Sequence, residues 1–316
     1  LDTGHKKKVK QAIQVAKYYY ESNLDQSTIA KEMQLSRPTV SRLLQYAKDE
    51  GFVQIEILDP FEDTLKLEET LAQRYHLKKV IITYAHSTDE YNILQNLGYK
   101  TANYLQSIVK DGDLIGVGFG KTIYSVATQL TDTPLNHVKI VQLKGGESHS
   151  SITNYSHEVM SLFSQAFHGE AEILPLPVIF DYQEIKELVM KDRHIQYIMN
   201  QGKKSNIAVF TVGSVHEESM LFHLNYFSQD EIAFFKKEAV GDIFSRFITA
   251  SGEIANPEIN RRTIGIDLDE LKEKKDTILV AGGSRKVPAI HGALVGGYAN
   301  TLIIDAHSAK ELLQRF

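Results

Sequence analysis

Lys144 ends the apolar run Ile140-Val141-Gln142-Leu143 and precedes Gly145-Gly146, so its amine is expected to point into a crevice with few polar neighbours. A lysine placed there has two uses. It can bind a phosphate or a hydroxyl, or, with its ammonium form penalised by burial, it can act as a neutral amine that condenses with an aldehyde to an imine. Three further turns share its flexible character: Gly116-Val117-Gly118-Phe119-Gly120-Lys121-Thr122, Thr211-Val212-Gly213-Ser214 and Gly282-Gly283-Ser284-Arg285-Lys286. Glycine lets a backbone approach a ligand closely, and the amides of a helix start attract an anion. Arg285 and Lys286 begin a predicted helix, where cations oppose the helix dipole, so they are expected to serve a phosphate, with Thr122 as a further donor. Both cations should also press Lys144 towards its neutral form. A glycine after a strand is commonly only a tight connection; it is the convergence of four such turns that points to a phosphorylated small molecule. The spacing fits neither a Walker loop nor a dinucleotide fingerprint, and no cofactor is expected. Asp242 and the triplet Asp192-Arg193-His194 are candidates for sugar hydroxyls, with surface roles as the alternative. His149 and His157 lack partners at ligand spacing, so no metal is expected.

These turns need elements to hold them. Short apolar runs, Val80-Ile81-Ile82, Leu114–Val117, Ile140–Leu143, Ile207–Phe210, Ile278–Ala281 and Leu302–Ile304, read as buried parallel strands. Helical patterns lie between them over Asn92–Val109, Lys121–Leu130, Glu158–Phe167, Glu184–Met190, Gln229–Lys237 and Arg285–Leu294, and again from Ser308 to the end. The alternation predicts an α/β domain over residues 59–316, a Rossmann-like doubly wound sheet with its ligand at the carboxyl ends of the strands.

A different pattern occupies residues 1–58. Ile29, Ala30 and Met33, then Val40, Leu43 and Leu44, recur at helical spacing on either side of a short break, which predicts a helix-turn-helix. Ser36 is placed to cap the second helix, and Pro38 is tolerated in its first turn. Ser36, Arg37, Thr39, Ser41 and Arg42 then form an exposed helix start suited to base edges and phosphates of double-stranded DNA. Gln34 stands where the turn often has glycine. Val9, Ile13, Ala16, Lys17 and Tyr20 predict a further amphipathic helix upstream. Gly51 should end the recognition helix, and Phe52–Leu58 alternates like a strand that could serve as a wing. A boundary falls near 58–64, where Asp59-Pro60 interrupts the pattern.

The charge of −5 is divided unevenly, with nine Lys/Arg against six Asp/Glu in residues 1–50, so the positive excess sits with the predicted DNA-binding part. There is no cysteine, which excludes disulfides, thiol catalysis and cysteine-ligated zinc. No apolar run reaches the length of about 18 residues that spans a membrane, and Lys6-Lys7-Lys8 leads into no signal core, so a cytoplasmic protein is expected.

Ser36-Arg37-Pro38-Thr39-Val40-Ser41-Arg42, Asp111-Gly112-Asp113, Gly118-Phe119-Gly120, Val141-Gln142-Leu143-Lys144-Gly145-Gly146 and Ala281-Gly282-Gly283-Ser284-Arg285-Lys286 together resemble the SorC family of bacterial sugar-sensing transcriptional regulators. Leu143–Gly146, Ser148-His149-Ser150 and Leu174-Pro175-Leu176-Pro177 resemble the branch of that family that controls deoxyribonucleoside use. The resemblance implies an effector domain similar to glucosamine-phosphate and ribose-phosphate isomerases. It further implies deoxyribose 5-phosphate as effector, and repression of deoxyribonucleoside catabolism that this metabolite relieves. A homo-oligomer, dimer or tetramer, is expected, because one short helix-turn-helix buries too little surface for a specific site. The competing expectation is an enzyme, a sugar-phosphate isomerase or a Schiff-base aldolase, with Asp242 or His194 as its acid or base and the N-terminal part as an interaction module.

Overall fold

The computed structural model describes residues 3–53, 62–84, 89–147, 154–217, 219–223 and 226–316. The chain divides into two compact units, Leu1–Asp59 and Pro60–Phe316.

In the first unit, α1 (Thr3–Ala16), a π-helical turn (Lys17–Glu21), α2 (Gln26–Glu32) and α3 (Arg37–Asp49) enclose a small core. Ile29 packs with Val40, Leu43, Leu44 and Ala47. The upstream helix buries Ala12, Val15 and Ala16, whereas Ile13 and Tyr20 are exposed, so its inner face is not the stripe expected from sequence. Two small alanines lie on that face and let the helices approach closely, which a count of large apolar residues does not weigh.

Both helices of the pair are capped by side chains. Asp25 Oδ1 accepts from the amides of Ser27 and Thr28, at 2.8 and 3.0 Å, and these bonds hold its carboxyl below the usual range. Ser36 Oγ accepts from Thr39 N–H at 3.2 Å, with Pro38 in the first turn of α3. Gln34 takes the left-handed conformation, φ +52°, that glycine would adopt without strain, and Leu35 N–H closes the turn on Ala30 O at 2.9 Å. Gly51, φ +73°, ends α3. Phe52 and Val53 continue as a bend, and the rest of the wing expected over Phe52–Leu58 lies outside the described residues.

The second unit is α/β. In chain order it comprises α4 (Glu62–Tyr75), β1 (Lys79–Thr83), α5 (Glu90–Ile108), β2 (Leu114–Val117), α6 (Lys121–Ala127), β3 (Lys139–Gln142), α7 (Ser156–Phe167) and β4 (Glu170–Glu172). There follow α8 (Gln183–Val189), α9 (Arg193–Lys204), β5 (Ile207–Phe210), β6 (Val212–Ser214), α10 (Met220–His223), α11 (Gln229–Glu238), β7 (Gly241–Ile243) and β8 (Arg246–Ile248). The last elements are α12 (Pro257–Arg262), α13 (Asp269–Lys272), β9 (Asp276–Val280), α14 (Val287–Val295), β10 (Thr301–Asp305) and α15 (Ala306–Arg315).

Seven strands form one sheet in the order β1-β10-β9-β5-β2-β3-β4, and every pairing in it is parallel. Successive strand residues feed two cores. Ile207 and Val209 face α5, α6 and α7, while Ala208 and Phe210 face the side covered by α9, α14 and α15. β5, β9 and β10 are covered on both faces and buried along their whole length, so their middles are apolar, and the buried Asp276 and Asp305 at their ends are held by Lys78 and by the amides of Gly283 and Ser308. The chain runs outward from β2 through β3 to β4, then returns to the other side of β2 as β5 and continues through β9 to β10. Between β2 and β5 the winding reverses, and a crevice opens there at the carboxyl ends.

Four short strands were not expected from the sequence, β4 at the edge of this sheet and three that form a second one. Val212–Ser214, read there as a turn, is β6, which pairs antiparallel with β7, and β7 pairs with β8. The turn between β7 and β8 consists of Phe244 and Ser245, both left-handed at φ +52° and +66°. This is the pattern of a type I′ turn, for which Asn-Gly is the comfortable pair.

Candidate functional site

The four strands β9, β5, β2 and β3 are neighbours, so the turns after them converge. They line a cavity of about 660 Å³. Gly118, Phe119, Gly120, Thr122, Lys144, Thr211, Gly213, Asp242, Gly282, Gly283, Ser284, Arg285 and Lys286 all contribute to its wall. Gly145 and Gly146 do not line it. A side chain on Gly145 would come within 2.1 Å of Pro177 O, and one on Gly146 within 2.8 Å of Gln142 Nε2, so the first glycine makes room for a neighbouring main chain and the second for buried side chains. Asp192 is also placed elsewhere: it caps α9, accepting from His194 and Ile195 N–H, and His194 is exposed. His157 lies 3.3 Å from Glu147, both exposed, and His149 lies outside the described residues. Among the described residues no three His, Cys, Asp or Glu side chains are grouped to hold a metal.

One end of the cavity is cationic. Lys286 Nζ donates to Thr122 Oγ1 at 3.1 Å and to Thr211 Oγ1 at 3.3 Å, joining the ends of three strands. Burial lowers its pKa to about 8, with the charges of Asp242 and Glu90 opposing the fall and Lys121 adding to it. Arg285 is exposed beside it. Gly120, φ +124°, starts α6 with no side-chain cap, and Gly283, φ +88°, precedes the short 3-10 turn Ser284–Lys286 that leads into α14. Gly283 N–H is held by Asp305 Oδ2 at 2.9 Å.

The other end is built around an amine. Lys144 is 7% exposed, its Nζ is 3.4 Å from Ser245 Oγ and 4.3 Å from the centre of the Phe119 ring. Burial lowers its pKa, and the charge that reaches it is the Asp242 carboxylate, which acts in the opposite direction. The sequence had suggested that Lys286 and Arg285 would push Lys144 towards neutrality; desolvation is what does so. Asp242, itself buried, has its pKa raised by burial, against the pull of Lys144, the Ser245 amide and Lys286. Its Oδ2 accepts from Ser245 N–H at 2.8 Å.

Ser245 and Phe244 escaped the sequence reading. Phe244 lines the cavity, and a side chain on Gly118 would meet it at 3.1 Å. The signal that could have found this pair is the stretch Gly241–Ile248, two runs of three residues about a two-residue centre, which reads as a hairpin once Phe-Ser is allowed in its turn.

Residues 59–314 match the family described as "Putative sugar-binding domain". The chain is 49% identical over 302 residues to the deoxyribonucleoside regulator of Bacillus subtilis, an alignment covering 96% of each chain. It belongs to the SorC-like family of sugar-binding-domain regulators. To the sorbitol operon regulator of Klebsiella pneumoniae it is 27% identical over 305 residues, covering 96% of this chain and 97% of that one. The crystal structure of full-length SorC from Klebsiella pneumoniae superposes with a TM-score of 0.74 at 26% identity, over 96% of this chain and 98% of that one. The protein is thus a transcriptional regulator of the deoxyribonucleoside-regulator type with a sugar-binding domain, and its family implies binding of DNA and of a sugar effector. No helix among the described residues is long and apolar enough to cross a membrane.

Proposed function

We propose that this chain represses genes of deoxyribonucleoside catabolism in the cytoplasm and leaves its operator when deoxyribose 5-phosphate occupies the cavity. The observation that carries the reading is the pairing of a buried amine, Lys144, with a cationic end at Lys286 inside one cavity at the winding reversal of the sheet. The doubly wound second unit provides the Rossmann-like, isomerase-like frame for it. The phosphate lies at Lys286, Thr122 and Thr211, and C1 lies at Lys144. Phosphorylation of O5 forbids a six-membered ring, so this sugar keeps an appreciable open-chain aldehyde. The neutral amine of Lys144 adds to that aldehyde and, with loss of water, gives a reversible imine. A 1-phosphate isomer has a locked anomeric carbon and cannot react in this way, which makes the amine a chemical filter. The likeness to the Bacillus subtilis deoxyribonucleoside regulator supports the same sugar class.

In the first unit α2 and α3 act as a helix-turn-helix, with the exposed Arg37, Ser41 and Arg42 at the start of α3 on base edges and phosphates, assisted by Ser36 and Thr39. Arg42→Ala should cost about 1–3 kcal/mol of operator affinity and relax sequence preference at one position, without altering the thermal unfolding of the free protein. Two copies read half-sites, with the second unit supplying self-association; sedimentation of a monomer both free and on operator DNA would rule that out. The test of the whole reading is a gel shift on the protein's own upstream DNA with a panel of sugar phosphates. Release by deoxyribose 5-phosphate, which is recovered unconsumed, is expected. Turnover of the sugar would instead favour an aldolase or isomerase.

A further inference from the structure

Joining an amine to an aldehyde moves two protons: one must leave nitrogen, and one must reach the oxygen that departs as water. In a cavity wall that buries the amine, a side chain has to carry them. The groups around Lys144 Nζ narrow the choice. The Phe119 ring has no exchangeable proton, and the Ser245 hydroxyl at 3.4 Å is too weak an acid. The Lys286 amine is engaged with Thr122 and Thr211. Glu90, with its side chain three-quarters exposed and 4.0 Å from Lys121, and the exposed His216 stand at the rim. Asp242 is left among the described residues of the cavity wall.

Its geometry suits the task. Gly213 and Asp242 are partners in the β6–β7 pairing, and a Cβ on Gly213 would fall 1.9 Å from Asp242 Oδ1, so the carboxyl occupies the space that only glycine leaves. Oδ2 is held by the Ser245 amide, in the same turn that carries the hydroxyl beside Lys144, and Oδ1 has no donor among the described residues. We propose that the Asp242 carboxyl is the acid and base of imine formation, taking the proton that Lys144 gives up and delivering one to the departing oxygen. This rests on the imine reading above.

The step balances. A neutral Lys144 amine and a protonated Asp242 carboxyl meet the aldehyde; the N–C1 bond forms and the carbonyl electron pair moves to oxygen. Asp242 protonates that oxygen, a proton passes from nitrogen to the same oxygen by way of the carboxylate, and the C1–O bond breaks. The products are a protonated imine on Lys144, an Asp242 carboxylate and one water. Burial biases both partners towards the forms the step consumes, lowering the lysine and raising the aspartate, and the step turns a neutral pair into an ion pair of the same net charge.

The test is a time course. The full chain is mixed with deoxyribose 5-phosphate, quenched with borohydride at intervals, and the Lys144 peptide is weighed by mass spectrometry. Asp242→Asn, which keeps the oxygen that accepts from Ser245, should form the adduct about a hundredfold more slowly. Calorimetry with 2-deoxyribitol 5-phosphate, which has the phosphate but no carbonyl, measures any loss of binding in the same variant, and that loss should be far smaller than the fall in adduct rate. Gly213→Ala, which displaces Oδ1 without changing Asp242, should slow the adduct in the same way and covers the case in which the asparagine variant does not fold. Adduct formation at the parental rate in either folded variant overturns the assignment of Asp242. Absence of any adduct in the parent protein instead overturns the imine itself, and the relay with it.

Discussion

The two ends of the cavity are made of different materials. At the Lys286 end, hydroxyls of two threonines and an amine gather from three strand ends, the arrangement that takes the phosphate on the proposed reading. At the Lys144 end, an amine after β3, a carboxyl in β7, a hydroxyl in the β7–β8 turn and an aromatic ring after β2 come together, and on the same reading they select by reactivity. The contrast assigns affinity to one end and identity to the other. A regulator organised in this way can change its sugar by altering the second end while keeping the first.

Substitutions should separate the two contributions. Lys144→Met is expected to have the largest effect: borohydride trapping disappears, while binding of 2-deoxyribitol 5-phosphate survives. Loss of that binding as well would mean that the ends are not independent. Lys286→Met removes a charged donor worth about 1.5–3 kcal/mol, so phosphorylated sugars should bind roughly ten- to a hundredfold more weakly in calorimetry, with unphosphorylated deoxyribose little changed. Thr122→Val removes an uncharged donor to the same phosphate and should cost about 1.5 kcal/mol, the low end for a hydrogen bond to a charged group, again only for phosphorylated ligands.

The pH dependence of Lys286 offers a sharper cut. Its pKa is lowered to about 8 in the folded chain, and a phosphate dianion raises it again. Binding therefore takes up protons, and affinity should be greatest below about pH 8 and decline above it. Stability moves the other way: between about 8 and the ordinary lysine value of 10.5 the unfolded chain binds more protons, so the cost of burying a charged Lys286 is full below about pH 8 and fades as pH rises. Lys274 is an internal control. It too is lowered to about 8 by burial, but it donates to the carbonyls of Gly202, Lys203 and Ser205 at the end of α9 and does not line the cavity. Lys274→Met should remove part of the alkaline gain in stability and leave the pH profile of effector binding intact.

The six strands that carry the sheet were legible in sequence because a strand covered on both faces can hold almost nothing but apolar residues. Helix ends were legible where a capping residue announces them, as Ser36 and Gly51 do. Lys144 could be placed because it ends one such strand. What was hidden has a physical reason in each case. β4 is Glu170-Ala171-Glu172 at the sheet edge, where one side needs no apolar cover. The strands β6, β7 and β8 have three residues each, too few for a period to show. Gly145 and Gly146 carry the same letters as the glycines of the cavity, but what approaches them is the protein itself, the Leu176-Pro177 backbone at the first and the Gln142 and Ser156 side chains at the second. Ser245 bears on the amine through a turn whose sequence contradicts its conformation.

That turn has a consequence for how such a protein can change over generations. Two non-glycine residues held at positive φ cost on the order of 1–3 kcal/mol each, and Asn-Gly at positions 244 and 245 would relieve much of it. Phe244 is buried against Phe210, and losing its side chain would cost more than the strain it carries, so selection for thermal tolerance alone favours glycine at position 245, which strips the cavity of the hydroxyl beside Lys144. A screen of random variants for heat resistance should enrich Ser245→Gly and, among the survivors, yield proteins that still occupy their operator and answer the sugar less well.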